Sequence, residues 1–126
     1  MKQWIILIVC LGVILGVGIW QVCYLEKTAL YTLSDIEYVR NAAKNENFEL
    51  AQKGAENIEK TWNNVEKSWH IFIDANEIDR VEENIESIKS YIDEEDKEEV
   101  IANLNELNRL FNFIVKKQKV KIENVL

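Results

Sequence analysis

The residues able to do chemistry in this chain are few and lie apart. An acidic run, Asp93, Glu94, Glu95, Asp96, Glu98 and Glu99, offers carboxylates in number. A calcium loop needs such ligands in alternation around a sharply turned glycine, and the run has neither. Acidic side chains at a helix start are favoured by the helix dipole, so the run is expected to be a solvated turn and helix start. Asp74, Glu77 and Asp79 get the same assignment, with Asp74 and Glu77 at capping-box spacing. His70 is the single histidine; with Trp69 on one side and Ser68 the nearest hydroxyl, it completes neither a triad nor a metal set. It is expected at the surface, the alternative being a pH-sensitive contact. Trp62 and Trp69 stand seven residues apart on a helical stripe and are expected in the core, the alternative for them and for His70 being contact with a ligand or partner.

Cys10 and Cys23 lie within or at the edge of a long uncharged segment. Thirteen residues apart on one helix, they would be separated by about 20 Å and could not bridge each other. An apolar setting also raises a thiol's pKa, which makes both structural rather than reactive. No phosphate-cradling glycine loop, nucleophile elbow or metal motif occurs. The sequence therefore nominates no catalytic, cofactor-binding or metal-binding residue, and the chain is expected not to be an enzyme.

Composition narrows the partners. The formal net charge is −7, and removing Lys2 leaves the remainder more acidic still. Nucleic-acid binding rests on neutralising phosphates, so nucleic acid is not expected as a partner. An acidic domain is likewise expected to be repelled by anionic lipid headgroups. Proline is absent and three of the four glycines fall in the apolar segment, so nothing interrupts helices elsewhere and an all-α chain is favoured.

That segment, Trp4 to Trp20, has 17 residues without a charge, or 22 when extended to Leu25. At about 1.5 Å per residue the longer count makes a helix of roughly 30 Å, the thickness of a bilayer's hydrocarbon core. Trp4 at one end and Trp20 with Tyr24 at the other match interfacial aromatic belts. A cleavable signal or a lipoprotein signal fits less well: Gly16-Val17-Gly18 is followed awkwardly by Trp20-Gln21, and valine precedes each cysteine. The expectation is an uncleaved signal-anchor in the cell membrane, residues 1–24, with a soluble domain over 25–126. Lys2 on a three-residue head leans toward an amino terminus in the cytoplasm and the domain outside. Gly12 and Gly16 have small-xxx-small spacing, which reads either as a face for self-association in the membrane or as ordinary glycine use in a span.

Beyond the anchor, apolar residues keep helical period. Leu30, Leu33, Ile36, Val39 and Ala43 suggest that the span runs straight into a first soluble helix, with a break at Asn45-Glu46-Asn47 and a cap at Asn47. Phe48, Ala51, Ala55, Ile58, Trp62, Val65, Trp69 and Phe72 recur at alternating steps of 3 and 4. Ile78, Val81, Ile85, Ile88 and Ile92 do the same, and so do Val100, Leu104, Leu107, Phe111 and Ile114, widened by Ile101 and Leu110. Short links imply antiparallel neighbours, so the expected fold is an N-terminal transmembrane helix followed by a small antiparallel bundle of three to four helices in two hairpins. The tail from Lys116 to Leu126 is basic and then apolar; its conformation is left open between docking on the bundle and awaiting a partner.

The stretch WHIFIDANEIDRVEENIESIKSYIDEEDKEEVIANLNELNRLF, from Trp69 onward, with the span before it and KIENVL at the end, resembles domain-of-unknown-function family 4363. That family comprises small proteins from mostly spore-forming Gram-positive bacteria. The resemblance covers nearly the whole chain and implies location and architecture without an activity. Many members carry a histidine at the junction where this chain has Ala75, so no metal or pH role is carried over to it. Members encoded beside a multi-span membrane protein family imply a membrane partner. Taken with the residues, the expected function is a non-enzymatic single-pass protein mediating protein–protein contact at the cell envelope. The alternative is an extracytoplasmic sensor-like bundle holding a small ligand or ion.

Overall fold

The structure, a computed structural model, describes residues 1–71 and 73–125. Phe72, expected to end the second stripe, and Leu126 of the tail lie outside the described residues, as does the side chain of Val125. The described residues form four helices in order: α1 (Lys2–Lys44), α2 (Phe48–Trp69), α3 (Ala75–Asp93) and α4 (Lys97–Val125). Among the described residues there is no strand. Helix α1 packs on α2 and α4, and α3 packs on the same two, which closes an up-down-up-down antiparallel bundle with α1–α2 and α3–α4 as its hairpins.

Helix α1 runs unbroken for 43 residues because neither proline nor a capping turn interrupts it. Its first part stands clear of the bundle, and α1 alone among the described residues is long and apolar enough to cross a membrane. Burial begins at Leu25 and continues through Ala29, Thr32, Ile36, Val39 and Ala43. That stripe differs from the expected one: Leu30 is 69% exposed and Leu33 half-buried. The buried positions include two threonines, which enter the core because their hydroxyls are already satisfied. Thr28 Oγ1 donates to the Tyr24 carbonyl at 3.0 Å and Thr32 Oγ1 to the Thr28 carbonyl at 2.9 Å.

The other three helices bury the residues their spacing selects. Ala51, Ala55, Ile58, Trp62, Val65 and Trp69 of α2 meet Ile78, Val81, Ile85, Ile88 and Ile92 of α3 and Val100, Leu104, Leu107, Phe111 and Ile114 of α4 in one core. Asn47 caps α2, its Oδ1 accepting from the Leu50 amide at 3.2 Å.

Both turns at the far end of the bundle are built alike. Glu46 (φ 58°) and Glu95 (φ 56°) take the left-handed conformation, and the next amide bonds back across the helix end, Asn47 to Ala42 at 2.8 Å and Asp96 to Tyr91 at 2.9 Å. Asp96 then caps α4 by accepting from the Glu99 amide at 3.3 Å. The acidic run is thus a helix stop and a helix start in succession.

At the opposite end, the expected capping box on α3 is not formed. Asp74 makes no side-chain cap bond. Lys117 Nζ of α4 donates instead to Asp74 Oδ2 at 3.0 Å and Glu77 Oε1 at 2.8 Å, drawing both carboxylates across to the neighbouring helix. The Lys117 ammonium holds the Asp74 carboxyl below the usual carboxylate range. The tail continues α4 as helix to Val125. Lys119 pairs with Glu26, and Ile122 Cδ1 lies 3.8 Å from where a Cβ on Gly18 would stand, so the tail runs down the side of α1.

Candidate functional site

Of the residues singled out by type, Trp62 and Trp69 lie in the core, at 4% and 0% exposure. Their rings meet edge to face at 5.3 Å, and each also meets Phe111 edge on, at 6.3 Å and 5.5 Å. The two indoles thus form a three-ring cluster with α4, contributing packing energy beyond the area they bury. The ligand-lining alternative finds these two side chains turned toward Phe111.

His70 sits one turn beyond Glu66 at the end of α2, exposed, with Nε2 3.4 Å from Glu66 Oε1. Glu66 also faces Glu82 of α3. A hydrogen bond shared with Glu66 raises the Glu82 carboxyl above its ordinary value, and burial and the Glu66 charge push the same way. A raised carboxyl favours the fold while protonated and loses that contribution as pH rises through its folded pKa. Glu82→Gln should therefore stabilise the bundle by about 0.5 kcal/mol near neutral pH, with a small rise in melting temperature, and should give no rise at a pH below the ordinary glutamate range. Melts of both proteins across that interval check it; an equal difference at both ends would reject the repulsion.

Among the described residues no group of three or more His, Cys, Asp or Glu side chains is placed to hold a metal ion. The acidic run lies at the far turns, where Glu94, Glu95, Asp96 and Glu98 border a shallow depression with Glu46.

Gly12 and Gly16 are exposed, and a Cβ on either would meet nothing within 4 Å. By helical periodicity they fall on the side of α1 that carries Cys23, Leu30 and Ser34, all exposed, and opposite the packed residues Leu25, Ala29 and Ile36. Gly18 is turned the other way, toward Ile122. The small-residue pair thus faces away from the bundle, available to a neighbouring helix.

One further surface is more apolar than these and was not nominated by residue type. Between α1 and α4 runs a groove of about 400 Å³ with Ala29, Leu30, Leu33 and Val115 as its apolar floor and Lys116 and Lys119 on its rim. Phe113 is 57% exposed on α4, and Tyr31 and Tyr38 are exposed on α1. The signal was present in the sequence: once Leu25, Ala29, Thr32 and Ile36 form the core stripe, Leu30 falls away from it and Leu33 lies at its edge beside Ala29 and Ile36. Apolar surface left over after a core is complete is what a partner can cover.

A family model described as "Domain of unknown function (DUF4363)" matches residues 19–125, which takes in the bundle from partway along α1 to the end of α4. No curated protein and no solved structure matches the chain.

Proposed function

The chain belongs to the DUF4363 family, and from that premise we propose a non-enzymatic single-pass membrane protein whose bundle binds another membrane protein at the cell envelope. The observation that carries the proposal is the division of α1. Its first half leaves Ile5, Ile6, Leu7, Ile8, Val13 and Ile14 exposed without an apolar neighbour, and a bilayer covers such a surface. Its second half is a wall of the bundle, so the anchor and the domain form one rod. The groove at Leu30 and Leu33 lies about 15 Å beyond Trp20 by helical rise, within reach of a short loop or helix end of a partner in the same membrane. With Lys2 inside, the bundle stands outside the cytoplasm.

Replacing Leu30 or Phe113 with a photocrosslinking residue and irradiating intact cells should trap one dominant membrane protein, with protease added outside removing the bundle. Absence of any adduct from either position, with the chain present at normal level, would reject the partner proposal. Self-association through Gly12 and Gly16 belongs to the same proposal, the two bundles then lying on the outer sides of the pair.

A second reading, a bundle holding a small polar ligand, draws on the groove between α1 and α2. Tyr31, Asp35, Lys60 and Asn64 converge there, and burial holds the Asp35 carboxyl above its ordinary value.

A further inference from the structure

Helix α1 carries a second face, turned away from the one it packs into the bundle. Ile5, Val9, Gly12, Gly16, Ile19, Cys23, Glu26, Leu30 and Leu33 follow one another at alternating steps of 4 and 3. That is a seven-residue repeat, the seam of a left-handed two-helix coil. Glu26 and Leu33, on the side toward α4, are half-buried, and the other members are exposed. Every member but Glu26 is apolar or small. Within a membrane such a repeat says little, because lipid covers any apolar face. Leu30 is the informative position. It stands about 15 Å beyond Trp20 by helical rise, above the level that interfacial aromatics mark, and is 69% exposed. Lipid tails do not cover it there.

A seven-residue repeat drifts by about 20° per heptad around a straight helix. On α1 this drift carries the seam toward α4 as it leaves the span, so Glu26, Leu30 and Leu33 also line the α1–α4 groove with Val115 and Lys116. Among the described residues of that groove Glu26 is the one carboxylate, and Lys119 of α4 neutralises it in an ion pair. One turn past Leu33, Glu37 is held by Arg40 of its own helix. Lys27 falls beside the seam, at the position that faces Val22 of the other helix in a parallel pair. The seam thus sets no unpaired carboxylate and no like charge opposite itself.

We propose that α1 pairs with α1 of a second copy, parallel and in register from Ile5 to Leu33, the upper part of each helix lying in the α1–α4 groove of the other. The geometry of anchoring selects a second copy as the occupant. Two copies inserted the same way in one membrane are parallel and at equal height, which a coil of this repeat requires. Each level of the seam then meets its own like, as a two-fold interface demands. Gly12 and Gly16 let the backbones approach within the bilayer, and Leu30 and Leu33 exclude water above it. The proposal rests on α1 as the anchor and deepens the self-association already assigned to it, giving Leu30 to the second copy. Phe113, about 100° round α4 from Asn112 of the groove, stays outside this contact and is left to a different membrane partner. That partner would meet a pair of bundles held at a fixed angle.

The test uses the full chain at low level in the membranes of the cells that express it, with one thiol per variant. Cys10→Ser leaves the natural Cys23; adding Cys23→Ser allows Val17→Cys, Ile19→Cys, Leu30→Cys or Tyr31→Cys in its place. Oxidation by copper phenanthroline joins two thiols only where they meet. Positions 19, 23 and 30 should give disulfide-linked dimers, and positions 17 and 31, turned off the seam, should not. Leu30→Glu, at a position exposed in the single chain, should slow crosslinking at Cys23 about 10-fold, while Leu30→Ile and Tyr31→Glu should leave it unchanged. Equal crosslinking at positions 30 and 31 would mean random collision and would overturn the proposal. So would crosslinks at 19 and 23 with none at 30, which describe a pair that parts at the membrane surface, or no dimer at any seam position. Recovery of the chain in the soluble fraction would remove the anchor itself. The different membrane partner is read from the Phe113 adduct alone, so the two proposals fail separately.

Discussion

Trp69→Ala is expected to cost the bundle about 3–5 kcal/mol, the usual range for emptying a large aromatic site in a core. For a domain of this size that is a fall of roughly 15–30 °C in melting temperature. Trp69 is fully buried, and its ring is held edge to face by Trp62 and Phe111, so the cavity would open where α2 and α4 are joined. The residues around it are large and ring-shaped and cannot collapse into the space without leaving their rotamers. Near-ultraviolet circular dichroism is the appropriate probe, because the apolar half of α1 stays helical in lipid or detergent whatever the bundle does. A loss below about 5 °C would show that the three-ring cluster contributes little to the stability of the bundle. Trp69→Phe should be much milder. It keeps most of the volume and removes an indole N–H that is buried without an acceptor among the described residues.

Gly54→Leu should separate α1 from α2. A Cβ at residue 54 would stand 2.5 Å from Val39 Cγ2 and 2.8 Å from Tyr38 Cδ1, closer than side chains can approach. Overpacking of this kind costs about 1–3 kcal/mol, against a helix-propensity gain of about 1 kcal/mol for leaving glycine. Gly54→Ala should fall between, with the two effects nearly opposed. Val39→Ala offers a check on the cause, since it removes the methyl that the new Cβ meets. Val39→Ala should destabilise the natural chain and cost less, or nothing, in the Gly54→Ala background, a coupling readable from urea unfolding of the four proteins. Simple additivity would mean that Gly54 is there for another reason.

The consequence for function is mechanical. Close α1–α2 contact at Gly54 ties the long apolar helix to the rest of the bundle, and the Lys117 bridge to Asp74 and Glu77 ties α4 to α3 at the end nearer the apolar half of α1. A partner bound in the α1–α4 groove would press on both ties.

Sequence by itself determined the parts of this protein that depend on neighbours along the chain. An uncharged run fixes a helix able to cross a bilayer, because any charge within it would carry a desolvation cost. Alternating steps of 3 and 4 set the buried residues of α2, α3 and α4, because one helix face must collect the apolar side chains. Asn45-Glu46-Asn47 and the acidic run mark the turns, because short polar side chains satisfy helix ends. Tertiary structure decided what depends on neighbours across space. On α1, Leu30 and Leu33 had as good a local claim to the core as Ala29 and Thr32. The claim was settled by how closely α2 approaches, which requires small side chains and Gly54, and by hydroxyls that bond back to their own helix. Asp74 and Glu77 had the spacing of a cap but were taken by Lys117, a residue forty positions away that only the antiparallel return of α4 brings near. That same return sets the tail of α4 beside Gly18 and Glu26.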